Sequence, residues 1–218
     1  MEREKQTRLL TSDEKQTMKW AKSYYGSSIP MSIIYVPKAK RELIIMFKCD
    51  PRCDRECMIA LLDGPSSVAN PISFIRYKLK NYGMHISYFK TRYDYQGTGL
   101  GKFLYQLAQG HADKLGLKFS DGLICPIDNI KGVTKDDEDC TQQEFKFLAL
   151  MYHALGNKII EKNTYQCIDL TFEDNWKHGQ KIEKLDENQK EFLEKMVEYE
   201  MKQNQKYLES KNKRGKSK

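Results

Sequence analysis

Three glycines, Gly97, Gly99 and Gly101, fall in the run Tyr93 to Leu104 (YDYQGTGLGKFL), where a strand hands over to a helix. Glycine reaches left-handed backbone angles without steric cost and lets a ligand come close to the main chain. The free N–H groups of the helix's first turn, with the positive end of its dipole, favour an anion at that point. Such a turn is built to hold a phosphate. The helix is legible in Leu100, Phe103, Leu104, Leu107, Ala108, Ala112 and Leu115, which recur at the three-and-four spacing of one buried face, with Gly116 as its stop. Met84 to Thr91 (MHISYFKT), rich in β-branched and aromatic residues, reads as the strand before the turn.

Two phosphate-loop patterns fail on spacing. A nucleotide-triphosphatase loop ends in Gly-Lys-Ser/Thr, whereas Gly101-Lys102 is followed by Phe103, which offers no hydroxyl to magnesium. A dinucleotide-binding turn reads G-x-G-x-x-G, and here Lys102 stands where its last small residue belongs. The remaining pattern, Gln or Arg, two residues, Gly, one residue, Gly or Ala, is met by Gln96, Gly99 and Gly101, and in it the chain resembles the GNAT superfamily of N-acetyltransferases. A second motif lies downstream in the family's order: Tyr152-His153-Ala154-Leu155-Gly156-Asn157 resembles the Tyr-x-x-Leu-Gly-Phe box, with Asn157 in place of the Phe. Leu123 to Ile127 reads as the strand between them, Phe145 to Leu155 as the helix carrying the box, and Lys158 to Asn163 and Thr164 to Phe172 as a closing hairpin. The resemblance spans Ile72 to Phe172, about half of the chain. A glycine-bearing strand-to-helix turn in some other α/β protein is the plainer alternative.

The resemblance implies a mixed α/β fold: a central, mostly antiparallel sheet, splayed at a cofactor cleft and flanked by helices. It implies acetyl coenzyme A as donor, its pyrophosphate held by main-chain N–H groups of Gln96, Gly97, Gly99, Gly101 and Lys102, with Thr98 and Leu100 between them. Main-chain groups of Lys90, Thr91 and Arg92 would lie along the thioester, where their strand parts from its neighbour after Leu123, and Asn129 resembles an asparagine common after that neighbour. Tyr152 takes the family's place for the acid that protonates the departing thiolate. A phenol near pKa 10 is a neutral donor at pH 7, and a thiol is close to 8.5. Its other reading is a buried tyrosine that packs a helix. An acceptor amine resembling lysine needs about 4.6 kcal/mol to free its lone pair at pH 7. His85 occupies the position of the family's basic glutamate, and an imidazole suits that task. A partly buried structural histidine is the alternative, and Tyr88 and Glu144 are weaker candidates for the base. Covalent catalysis through Cys125 finds no triad. An extra loop, Ile130 to Gln143, holds Asp136-Asp137-Glu138-Asp139; it reads either as a solvated insertion or as an attractor of a cationic acceptor such as a lysine or polyamine.

Further elements must position these residues. Thr11, Ser12 or Asp13 caps a first helix running to about Tyr24, broken by Gly26 to Pro30. Met31 to Val36, Glu42 to Lys48 and Met58 to Leu62 read as strands, and Ser73 to Lys80 joins Met84 to Thr91 through Asn81-Tyr82-Gly83. Asn188 to Ser210 carries Phe192, Leu193, Met196, Val197, Met201 and Leu208 amid dense charge, the pattern of a long amphipathic helix docked on the domain or on a second copy in a homodimer. The expected organisation is an acetyltransferase domain over 1–175, a helical extension over 176–210 and a disordered basic tail over 211–218.

The 218 residues suit one good-sized core, and six scattered cysteines do not make a disulfide scaffold. Cys49, Cys53 and Cys57 lack the close pairs of a zinc site, so no metal is expected. Of the formal net charge of +7, six units belong to Met201 to Lys218, which holds seven basic residues and one acidic. That tail reads as a solvated end, with a nucleic-acid or acidic-partner contact as the sharper alternative. No apolar run reaches membrane length and the first residues are charged, so a cytoplasmic location is expected. A non-catalytic acyl coenzyme A sensor or interaction scaffold is the rival to an N-acetyltransferase.

Overall fold

The computed structural model describes residues 9–124, 148–163, 168–175 and 185–215. Helix α1 (Ser12–Tyr25) begins at a capping box, in which Glu14 donates its N–H to the Thr11 hydroxyl and the Glu14 carboxylate accepts from the Thr11 N–H. Five strands then form a meander: β1 (Met31–Val36), β2 (Arg41–Asp50), β3 (Glu56–Leu62), β4 (Ser73–Lys80) and β5 (Gly83–Thr91). Helix α2 (Leu100–Lys114) leads to β6 (Phe119–Ile124), and helix α3 (148–154) leads to the hairpin β7 (Lys158–Asn163) and β8 (Ile168–Asn175). Helix α4 (Glu187–Gly215) follows, capped by Asp186 and Gln189, which exchange main-chain to side-chain bonds.

The strands make one sheet in the order β1-β2-β3-β4-β5-β6-β8-β7. Every neighbouring pair is antiparallel except β5 with β6, which is parallel and short: Met84, His85 and Ile86 pair with Ser120, Asp121 and Gly122. Beyond Ile86 the two strands part. This is the mixed, mostly antiparallel and splayed sheet that the sequence predicts, although the parting falls at Gly122 rather than after Leu123. The strand expected over 123–127 also begins earlier, at Phe119. Ser120-Asp121-Gly122 has little intrinsic strand preference, and its partners decide the matter: the buried Ser120 hydroxyl bonds that of Tyr105, and Asp121 bonds His85.

Apolar residues alternate across the meander and feed two cores. Ile75, Tyr77 and Leu79 of β4 face α2, α3 and α4, where Leu104, Leu107, Phe192, Leu193 and Met196 are buried. On the other face, Ile44, Met46, Ala60 and Leu62 pack beneath Ala21 of α1. The C-terminal helix continues to Gly215, so Lys211 to Arg214, expected to be disordered, are helical. Lysine and arginine are good helix formers and complement the negative end of the helix dipole.

Helix α4 is tied to the domain by an exposed ion pair, Lys114 to Glu194, and by a partly buried one. Glu200, 1% exposed, accepts from Arg55 Nε at 2.8 Å, and Arg55 sits in the turn between β2 and β3. Arg55→Ala leaves that carboxylate buried and unpaired and is expected to cost about 3 kcal/mol of stability, read as a lowered urea midpoint at constant slope. An unchanged midpoint would show that the pair contributes nothing net.

His111 of α2 is fully buried, its Nδ1 2.8 Å from the Tyr77 hydroxyl. Burial first, and the Arg55 charge second, lower its pKa from 6.5 to about 3. Below pH 6.5 the unfolded chain takes up a proton that the folded chain refuses. Stability is therefore fully present above that pH and is lost as pH falls towards 3, by roughly 1 kcal/mol per pH unit from this group. Urea titrations of the parent chain and of His111→Gln at pH 7 and pH 5 should show the steeper loss in the parent; equal losses would refute the assignment.

Candidate functional site

The turn between β5 and α2 is wound by its own hydrogen bonds. Tyr95 and Gln96 donate their N–H groups to the carbonyls of Arg92 and Tyr93, and Thr98 donates both N–H and hydroxyl to that of Tyr95. Gly97 and Gly99 stand at φ 81° and 83°, and Gly99 is the N-cap of α2 with no side-chain cap. The first helical bond runs from the Phe103 N–H to the Gly99 carbonyl at 3.0 Å. The N–H groups of Leu100, Gly101 and Lys102 therefore precede the hydrogen-bonded ladder. Among the described residues they have no backbone partner, and neither has the N–H of Gly97 or Gly99. Of the amides expected to hold a pyrophosphate, that of Gln96 is consumed by the winding of the turn, as is that of Thr98 between them.

These groups surround a cavity of about 250 Å³ lined by Thr91, Gln96, Gly97, Gly99, Leu100, Gly101 and Lys102, all anticipated, and by Lys38, Phe89, Tyr95, Leu148 and Met151, which were not. Lys38, in the short turn between β1 and β2, lays its aliphatic chain against Gly99, where a Cβ would stand 2.8 Å from Lys38 Cδ. Tyr95 is held between two guanidiniums, Arg92 at 5.0 Å and Arg41 at 5.7 Å from its ring centroid. Its hydroxyl donates to Asp63, whose carboxylate, with burial, raises the phenol's pKa.

Strand β5 meets the cavity along one edge. The Arg92 N–H donates to Ile72 and the Lys90 carbonyl accepts from the Ser73 hydroxyl, so both main chains face β4. The period of two then turns Thr91 and Phe89 towards the parting of β5 and β6. Lys90 and Arg92 are thus corrected as cavity residues: neither lines it, and the Arg92 side chain is bonded to Asp94. Thr91 stays, its carbonyl accepting from Gln96 Nε2 at 3.1 Å. A bulge interrupts β5 beside this edge. Tyr77 pairs with Ile86 and Arg76 with Tyr88, leaving Ser87 as the extra residue.

Tyr152 is 6% exposed and does not line the cavity. It follows Met151, which does, and its ring lies 6.4 Å from those of Phe89 and Tyr105. The box ends α3 in a paired C-cap. Gly156, at φ 94°, donates its N–H to the His153 carbonyl, and the Asn157 N–H reaches back to the Tyr152 carbonyl at 3.0 Å. Asn157 is buried. Its Nδ2 donates to the same carbonyl and its Oδ1 accepts from the Tyr105 hydroxyl at 2.6 Å. Where the resemblance expects a phenylalanine, the chain uses an amide to fix the end of α3 to α2.

His85 lies away from the cavity, on the last paired rungs of β5 and β6. Its Nδ1 is 2.7 Å from Asp121 Oδ1. A carboxylate only accepts, so Nδ1 carries the proton and the neutral ring presents Nε2 as an acceptor. Tyr88 stacks on Phe74 at 5.4 Å and is 44% exposed. Asn129, Glu144, Cys125 and the acidic loop over 130–143 lie outside the described residues. Cys49 and Cys57 face each other across β2 and β3, buried and 2.7 Å apart at sulfur, while Cys53 is exposed. Among the described residues no three His, Cys, Asp or Glu side chains gather as a metal site, and no helix is long and apolar enough to cross a membrane.

No protein-family model matches this sequence, and no curated protein matches it. Solved structures do. A mutant of the cAMP-binding acyltransferase from Mycobacterium smegmatis superposes with a TM-score of 0.50 at 10% identity, covering 87% of this chain and 60% of its own length. An aminoglycoside N-acetyltransferase complexed with coenzyme A gives 0.42 at 13% identity over 55% of this chain and 72% of that one. An acetyltransferase from Bacillus subtilis in complex with coenzyme A gives 0.38 at 15% identity over 59% and 82%. The chain has the acyltransferase fold that its two motifs predict, and it spans less than two thirds of the length of the M. smegmatis enzyme.

Proposed function

We propose that the chain is an N-acetyltransferase that moves an acetyl group from acetyl coenzyme A to a primary amine by direct attack within a ternary complex. The observation that carries this reading is the row of uncommitted N–H groups at Gly97 and Gly99 to Lys102. They open on a cavity beside the parting of β5 and β6. Helix N-termini favour anions, so this row suits a diphosphate. Lys38 and Lys102 add positive side chains to the same wall. The apolar stretch of Phe89, Leu148 and Met151 suits the pantetheine arm.

Each end of the transfer has a candidate group. Tyr152 gives its hydroxyl proton to the sulfur as the C–S bond breaks, and His85 Nε2 takes the proton that the amine nitrogen sheds as the C–N bond forms. Asp121 is a positioning residue that holds the His85 tautomer. Asp121→Asn is expected to lower kcat about tenfold or more with the KM for acetyl coenzyme A unchanged, and Asp121→Glu should recover part of that loss, because the carboxylate fixes the imidazole through Nδ1. An Asp121→Asn variant with kcat within about twofold of the parent would remove Asp121 from this role. The reading as a whole is tested by calorimetry with acetyl coenzyme A and coenzyme A: both should bind, and absence of binding by either would end it.

A further inference from the structure

We propose that the open face of β4, β5 and β6, opposite α2 and α4, is the acceptor site and that it takes a free α-amino acid with an apolar or aromatic side chain, recognised through its carboxylate. The proposal rests on the acyl-transfer reading above. Residues directly opposed on neighbouring strands share a face. Lys90 with Phe74, Tyr88 with Arg76, His85 with Lys78, and Asp121 beside His85 therefore form one surface. Helix α1 covers β2 and β3 on that side through Ala21 and Met18 and its cluster reaches as far as the partly buried Phe74, while Arg76, Tyr88 and Lys90 are exposed.

Its charge selects the ligand. Lys78 reaches Asp54 at 3.8 Å, which leaves Arg76 and Lys90 against Asp121, and Asp121 is already bonded to His85. A polyamine gains little on such a face; an amine bearing one negative group gains an ion pair. Arg76 is placed for it. Its guanidinium lies 5.6 Å from the Phe74 ring centroid, and among the described residues it has no carboxylate partner. Arg52, Arg55 and Arg92 are each paired, with Asp50, Glu200 and Asp94. A planar fork binds a carboxylate through two parallel bonds. Arg76 and His85 lie on the same face on either side of the Ser87 bulge, two residues of β4 apart in register, so a carboxylate on Arg76 brings the adjacent α-amine towards His85 Nε2. The stacked rings of Phe74 and Tyr88 give the side chain an apolar ledge. The same rungs are where β5 and β6 part, so the amine meets a donor reaching through from the cavity side.

The experiment compares matched acceptors by thiol release from acetyl coenzyme A: L-phenylalanine against 2-phenylethylamine, and L-lysine against 1,5-diaminopentane. The carboxylate-bearing member of each pair should have the higher kcat/KM by about ten- to a hundredfold. Arg76→Gln should collapse the phenylalanine ratio towards one, mainly through KM, and Arg76→Lys should keep part of it. Equal or better turnover of the decarboxylated amines overturns the proposal. So does a ratio that survives Arg76→Gln, or bound acetyl coenzyme A with no release by any of the four. Failure of acetyl coenzyme A to bind overturns instead the acyl-transfer reading beneath it.

Discussion

Tyr152→Phe should slow thiol release from acetyl coenzyme A by 10²- to 10⁴-fold, the usual contribution of a general acid, with donor affinity within about twofold of the parent. The substitution is clean because the hydroxyl is all it removes. The ring's packing against Phe89 and Tyr105 survives in phenylalanine. The two bonds that Asn157 gives to residue 152 go to its main-chain carbonyl, so the cap of α3 also survives. A loss of rate at unchanged donor affinity and unchanged urea midpoint therefore reports the proton and not the scaffold. Steady-state kinetics beside calorimetric titration of coenzyme A separate the two quantities. Full turnover by a donor-saturated Tyr152→Phe would remove the acid from the mechanism and leave Tyr152 as a buried packing residue between α2 and α3.

The parts of this site legible in the sequence are those whose chemistry is local. The glycine turn is read from adjacent residues, and α2 from the spacing of its own apolar face. The Tyr-x-x-Leu-Gly run turns out to be a helix end with Gly156 in the left-handed region. What escaped was set by pairing between distant segments. Lys38 reaches the cavity only because the turn after β1 packs on Gly99, and nothing in Pro37-Lys38-Ala39 signals an anion site. Asp121 acquires its place by parallel pairing with β5 across the whole of α2. Lys90 and Arg92 stand off the cavity because the edge that a strand residue's main chain presents depends on which neighbour it bonds, and composition carries no trace of that. In the sequence Asn157 is only a departure from the box; with Tyr105 and the end of α3 brought together it reads as a bond. The length of α4 beyond Ser210 was missed because a run of like charges suits a solvated coil and an exposed helix equally.

Gly99→Val should abolish donor binding far more completely than Gly97→Ala, and the contrast isolates the turn as the anion site. Both glycines sit at positive φ, 81° for Gly97 and 83° for Gly99, so any side chain there costs about 1–2 kcal/mol of backbone strain. At Gly97 that is the whole penalty, since a Cβ there meets nothing within 4 Å. Its alanine variant should lose about tenfold in coenzyme A affinity or less. At Gly99 the new Cβ falls 2.8 Å from Lys38 Cδ and 3.0 Å from Lys38 Cβ, and a β-branched side chain is poorly accommodated in the left-handed region. The N-cap must move, and the N–H groups of Leu100 and Gly101 lose their common aim. A loss of at least about a hundredfold, or about 2.7 kcal/mol, follows. Of this turn the cores take in only Leu100, with Tyr95 packed at their edge, so the chain should remain folded by circular dichroism. Lys38→Ala in the Gly99→Ala background relieves the contact and should restore part of the affinity lost to strain, less whatever the Lys38 ammonium contributes to the diphosphate; a double-mutant cycle separates the two. Wild-type affinity in a folded Gly99→Val would mean that the donor, if it binds, is held elsewhere.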